Sequence, residues 1–141
     1  MTALHPPARA SGVVLWAEDE PSDQVLIRDA LASLGARPDI EFLKDGVPLL
    51  QAAAKRRPSL IVLDVNMPMM GGVEALMQLR RQRATQHTPI VLFSTHRSPD
   101  HVNLYKGLGA TAYVEKPLLL ARYPGAVAEI LRHAKGAKPR R

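Results

Sequence analysis

The chain has 141 residues, of which 46% are hydrophobic and 23% charged, a composition that suits one globular domain and excludes a disordered segment. It contains no cysteine, which excludes disulfides, thiolate metal sites and thiol catalysis. The formal charge of +6 admits a polyanionic partner, but the cations gather at the ends of two helical segments (Lys55, Arg56 and Arg57; Arg80, Arg81 and Arg83) and in a tail carrying Lys135, Lys138, Arg140 and Arg141.

Residues 1–11 read as an N-terminal tail without the apolar run of a secretory leader, and no later stretch approaches the roughly 20 apolar residues of a membrane span. A soluble, cytoplasmic protein is the expectation. The first predicted strand is 13–17. A helix follows in which Ile27, Ala30, Leu31 and Leu34 keep the i, i+3, i+4, i+7 spacing until Gly35 stops it. A second strand is expected at 40–43, then a helix marked by Val47, Leu50 and Ala54 that Pro58 prevents from continuing. The third strand, 60–65, is a continuous apolar run, as expected of a strand buried on both faces. Beyond Gly71 and Gly72, a helix is marked by Val73, Leu76 and Met77. A fourth strand is expected at 90–93, and Ser98 and Pro99 are suited to the N-cap and first position of the next helix. The last pair is a weaker strand at 112–114 and a helix with Val127, Ile130, Leu131 and Ala134 on one face, opening near Pro124. The sum is an α/β fold of five βα units. Parallel strands need right-handed crossover helices, so the product is an open, doubly wound parallel sheet of five strands. Residues 12–134 make the domain, and 135–141 form a basic C-terminal tail.

In such sheets the ligand site lies outside the carboxyl ends of the strands. Just past the first strand stand Glu18 and Asp19. Asp64 stands at the end of the third, followed by Asn66; Ser94 and Thr95 end the fourth, and Lys116 and Pro117 follow the fifth. The second strand contributes nothing comparable. Three carboxylates brought together repel one another unless one keeps a proton or a hard cation joins them. A carboxylate nucleophile, a divalent cation such as Mg²⁺, a lysine and a hydroxyl are the parts that phosphoryl transfer requires. Taken singly, Asp64 reads as a loop or capping aspartate, and Glu18 and Asp19 as acids favouring a helix N-terminus. Trp16 reads as core filler, and the five histidines lack ligand spacing.

Over residues 12–134 the chain resembles the receiver domains of two-component response regulators. The resemblance rests on the acidic pair Glu18 and Asp19, on Asp64-Val65-Asn66-Met67-Pro68 with Gly71 and Gly72, on Ser94, on Tyr113, and on Lys116 and Pro117. It implies a flavodoxin-like sheet of strand order 2-1-3-4-5, with Asp64 as the phosphoacceptor. Asp19, Asp64 and the backbone carbonyl of Asn66 would bind Mg²⁺, with Glu18 acting through a water, and Lys116 and Ser94 would hold the phosphoryl oxygens. Ser94 and Tyr113 would form the switch, Tyr113 turning from exposed to buried and altering the face of the fourth helix, fifth strand and fifth helix. The resemblance further implies a cis Lys116–Pro117 peptide, and tuning of the phosphoryl lifetime by Asn66 and His96.

The implied protein is a signalling phosphoacceptor rather than an enzyme of turnover. Its partner would be a sensor histidine kinase, as in the phytochrome-associated regulators whose opening resembles residues 18–23, or a histidine phosphotransfer protein. A homodimer through the switch face is a further implication. Only a short tail follows the fifth helix, so the phosphorylated surface itself is the expected output. Two other functions compete. An aspartate-nucleophile phosphatase of the haloacid dehalogenase type wants a second Asp where Asn66 stands. A phosphorylation-independent module would bind nucleic acid through the basic tail, which leaves the acidic pocket unexplained. Leu118, Leu119 and Leu120 admit either buried packing or an exposed patch.

Overall fold

The computed structural model describes residues 12–67, 70–95 and 98–136, and in it five strands alternate with five α-helices. The strands are β1 (Val14–Ala17), β2 (Ile40–Leu43), β3 (Leu60–Leu63), β4 (Ile90–Ser94) and β5 (Ala112–Glu115). The helices are α1 (Pro21–Leu34), α2 (Gly46–Arg56), α3 (Gly72–Arg81), α4 (Pro99–Gly107) and α5 (Tyr123–Leu131). Every pairing is parallel and the order is β2-β1-β3-β4-β5, so the doubly wound architecture and strand order are those expected.

The continuous apolar runs follow from this layering. Alternate side chains along a strand face opposite ways, and here both faces are covered by helices. Leu15, Ala17, Ile61, Leu63, Ile90 and Leu92 pack with Leu49 and Ala53 of α2, Leu76 and Leu79 of α3 and Tyr105 of α4. Val14, Trp16, Leu60, Val62, Val91 and Phe93 pack with Ile27 and Leu31 of α1 and with Val127 and Ile130 of α5. Each such aliphatic side chain contributes about 1.5–3 kcal/mol when fully buried, so the three central strands are the main source of stability. Edge strand β2 is only half-buried along its length.

Local chemistry sets the boundaries. Gly35 ends α1 in the left-handed conformation, φ 68°, that a glycine adopts without strain. Ser98 accepts a hydrogen bond from the His101 N–H at the start of α4, with Pro99 in its first turn as anticipated. Asp45 caps α2 by accepting from the Val47 N–H. The buried stripe of α2 is displaced from the expected one: Gly46, Leu49 and Ala53 face the sheet, while Val47 is 43% exposed. A 3₁₀ turn at Leu120–Arg122 precedes α5, and it absorbs the irregular approach through Leu118 and Leu119. The Lys135 N–H donates to the Ser59 carbonyl, returning the chain to the start of β3. Among the described residues no helix is long and apolar enough to cross a membrane. The tail 1–11 and residues 137–141 lie outside the described residues, as do Pro68, Met69 and His96.

Candidate phosphoryl-transfer site

Parallel register carries the strand ends to one rim. Ala17 of β1 pairs with Leu63 of β3, so Glu18 and Asp64 leave the sheet side by side. Ser94 of β4 pairs with Glu115 of β5, which sets Lys116 next along the rim. Backbone bonds fix these departures: Asp64 N–H to the Ala17 carbonyl at 3.2 Å, and Lys116 N–H to the Ser94 carbonyl at 2.8 Å. The Gln24 side-chain amide donates to the Glu18 carbonyl at 2.8 Å and ties the loop to α1.

Gly72 opens α3 directly against this rim. A Cβ there would lie 2.5 Å from the Asp64 carbonyl oxygen, closer than any real Cβ contact, so only glycine permits the approach. The Asn66 N–H donates to Asp64 Oδ1 at 3.0 Å and orients the carboxylate, while the Asn66 side chain is exposed.

Lys116 is the centre of the electrostatics. Its ammonium is 2.8 Å from Glu18 Oε1, 3.0 Å from Asp23 Oδ2 and 3.1 Å from Asp64 Oδ2. It also lies 5.7 Å from the ring centre of Phe93, which forms an apolar wall beneath it. Burial works against the ammonium, but the hydrogen bond it donates to Glu18 and that residue's negative charge, with the charge of Asp64 and the bond donated to Asp23, outweigh it and raise the lysine pKa above its ordinary value. Glu18 is fully buried, and its other oxygen accepts from the Glu20 N–H at 3.3 Å. Burial pushes its carboxyl up to about 7, and Lys116 only partly offsets this.

Glu18, Asp19 and Asp64 each offer a carboxylate oxygen, and these oxygens lie within 4.8 Å of one another. The donors are all hard oxygens and Asp19 is half-buried, which leaves a side open to solvent. The set fits a small divalent cation that keeps several waters.

Ser94 is buried at the carboxyl end of β4, which pairs with the strand that carries Tyr113. Tyr113 is itself buried, the inward of the two positions anticipated, and stacks on Tyr105 of α4 with ring centres 5.6 Å apart. Tyr105 stacks in turn on His101 at 6.0 Å. An aromatic ladder thus connects β5 to α4.

One expectation is corrected. The Lys116–Pro117 peptide is trans rather than cis. Trans is favoured even before proline, by about 0.5–1 kcal/mol, and on this backbone Lys116 reaches all three carboxylates. Leu118, Leu119 and Leu120 are exposed at 93%, 61% and 66%, so they form a surface patch rather than core. Sequence reasoning missed Asp23 and Phe93 altogether. An acid in the first turn of α1 is already explained by the helix dipole, and an apolar residue within β4 by the core, so neither carried a signal of its own.

Residues 14–127 match the family described as the response regulator receiver domain. Among curated proteins, the chain is 28% identical over 124 residues to the probable methanogenesis regulatory protein FilR2 of Methanothrix harundinacea, covering 84% of this chain and 80% of that protein. Several other curated relatives are longer, and the chain spans 16% to 51% of their length. Among solved structures, it resembles the phosphorylated cyanobacterial phytochrome response regulator RcpA with TM-score 0.76 and 26% identity, over 86% of this chain and 91% of that one. The Mn²⁺-bound form of response regulator Rcp1 is similar at TM-score 0.76 and 25% identity, over 86% and 92%.

Proposed function

Because the chain belongs to the response regulator receiver family, we propose that Asp64 is its phosphoacceptor and that the carboxylate rim works with Mg²⁺. The observation that carries this reading is the convergence of Lys116 on Asp64 and Glu18, residues separated by 52 and 98 positions in the chain. Asp64 Oδ attacks the phosphorus of a phosphohistidine. The P–N bond breaks, the imidazole leaves with the electron pair, and it takes a proton from solvent. The chemistry is mainly positioning and charge neutralisation.

Asp19, Asp64 and the Asn66 carbonyl would hold Mg²⁺, with Glu18 acting through a water because Lys116 and the Glu20 N–H already engage its carboxylate. When bound, the cation supplies positive charge against the phosphoryl oxygens. Lys116 and the Ser94 hydroxyl hold those oxygens. Ser94, drawn toward the phosphoryl group, would leave room for Tyr113 to move, loosen its stacking on Tyr105 and so alter the surface of α4, β5 and α5. That surface would bind a target, pass on the phosphoryl group or form a homodimer. The donor is a sensor histidine kinase or a histidine phosphotransfer protein, and the likeness to RcpA favours a phytochrome-type kinase. Asn66, exposed beside the acceptor, is suited to tuning the phosphoryl lifetime, and His96 is proposed with it by resemblance alone.

The test is incubation with acetyl phosphate and Mg²⁺, followed by intact mass. One added phosphoryl group is expected on the wild type, with none on Asp64→Ala and none when EDTA is present from the start. Repeated turnover of a generic phosphate ester would instead support a phosphatase.

A further inference from the structure

Lys116 is engaged by one carboxylate more than the phosphoacceptor reading needs. An ammonium has three N–H donors, and here they meet three acceptors: Glu18 Oε1, Asp23 Oδ2 and Asp64 Oδ2. Glu18 is held from both sides, fully buried and hydrogen-bonded to the Glu20 N–H, so it stays with the lysine. Asp64 is the reacting group, and once phosphorylated its share of the ammonium passes to a phosphoryl oxygen. Asp23 is the remaining claimant. Its side chain is 27% exposed, at the mouth of the cluster, and it projects from the first turn of α1. The helix dipole accounts for an acid in that turn, but not for an Oδ2 lying 3.0 Å from an ammonium 93 positions away.

We propose that Asp23 is a positioning residue that competes with the incoming phosphoryl group for Lys116, and so sets how readily Asp64 is phosphorylated. This deepens the phosphoacceptor reading and rests on it. The Asp23 carboxylate holds the ammonium toward α1 and adds a negative charge at the entrance for a dianionic donor. Both effects oppose approach of the donor, and both act before the P–O bond of the donor breaks. They therefore weigh on donor affinity more than on the maximal rate.

The experiment follows Asp64 phosphorylation by acetyl phosphate with Mg²⁺, using intact-mass time courses across donor concentrations. In Asp23→Asn, which keeps the shape and loses the charge, the half-saturating donor concentration should fall about three- to tenfold, with a smaller change in the maximal rate. Asp23→Ala should move the same way, while Asp23→Glu, which keeps the carboxylate, should stay near the wild type. In a Lys116→Met background, adding Asp23→Asn should change the half-saturating concentration much less, because only the charge at the entrance then remains. Near-UV circular dichroism checks that each variant is folded. A purely structural acid in α1 would instead lower thermal stability and leave donor affinity unmoved, which overturns the proposal. An effect undiminished without Lys116, or shared by Asp23→Glu, overturns it too. A wild type that takes no phosphoryl group removes the acceptor reading itself and this inference with it.

Discussion

Glu18 is fully buried, yet its neighbours only partly stabilise the charge it carries. With its carboxyl raised to about 7 in the fold, from 4.5 in an exposed chain, the folded protein binds this proton more tightly than the unfolded one. The stabilisation it confers is therefore complete below about pH 4.5 and is lost as pH rises through about 7. In buffer free of divalent cations, the wild type should lose roughly 1–3 kcal/mol relative to Glu18→Gln between about pH 5 and about pH 7.5, read from urea unfolding midpoints. A wild type and variant that track each other across that range would mean that Glu18 ionises freely. Asp64 is held at the same scale by two donors, the Lys116 ammonium and the Asn66 N–H, which fix its carboxylate at the rim.

At the scale of elements, Arg80 fastens the end of α3 to two turns. Its guanidinium donates to the carbonyls of Gly109 at 2.9 Å, Thr85 at 2.9 Å and Thr88 at 2.7 Å. The cations ending α3 had a sufficient explanation in the helix dipole, and a planar fork serving the turns before β4 and β5 is a different role. The two roles separate experimentally. Arg80→Met should destabilise the fold by about 2–3 kcal/mol, and Arg80→Lys, which keeps the charge without the fork, should restore little of it in urea unfolding. Full recovery by lysine would return Arg80 to a dipole role. The displaced stripe of α2 is legible only with hindsight. Val47, Leu50 and Ala54 are as apolar as Leu49 and Ala53, so hydrophobicity alone did not orient a helix so rich in small apolar residues.

At the scale of the whole molecule, the oxygens of Glu18, Asp19 and Asp64 converge only when the sheet is formed, so a cation held by them would be linked to folding. At about a hundredfold excess over its dissociation constant, Mg²⁺ should stabilise the wild type by about 2.7 kcal/mol, a rise in Tm on the order of 5–10 °C. The same titration on Asp19→Asn should give a much smaller rise. Equal rises would show that the cation binds elsewhere.

The alternation of continuous apolar runs with helical spacing was enough to establish five βα units, because a strand buried on both faces and an amphipathic helix leave different periods in a chain. The residues ending each strand were legible for the same reason, and parallel register then carries Glu18, Asp64, Ser94 and Lys116 to one rim. Only the tertiary structure decided that Asp23 reaches Lys116, that Phe93 lies beneath it, that Tyr113 packs inward on Tyr105, that the bond before Pro117 is trans and that Leu118, Leu119 and Leu120 face solvent. These are distances between side chains on separate elements. They depend on how layers pack and turns close, and no local pattern of residues encodes them.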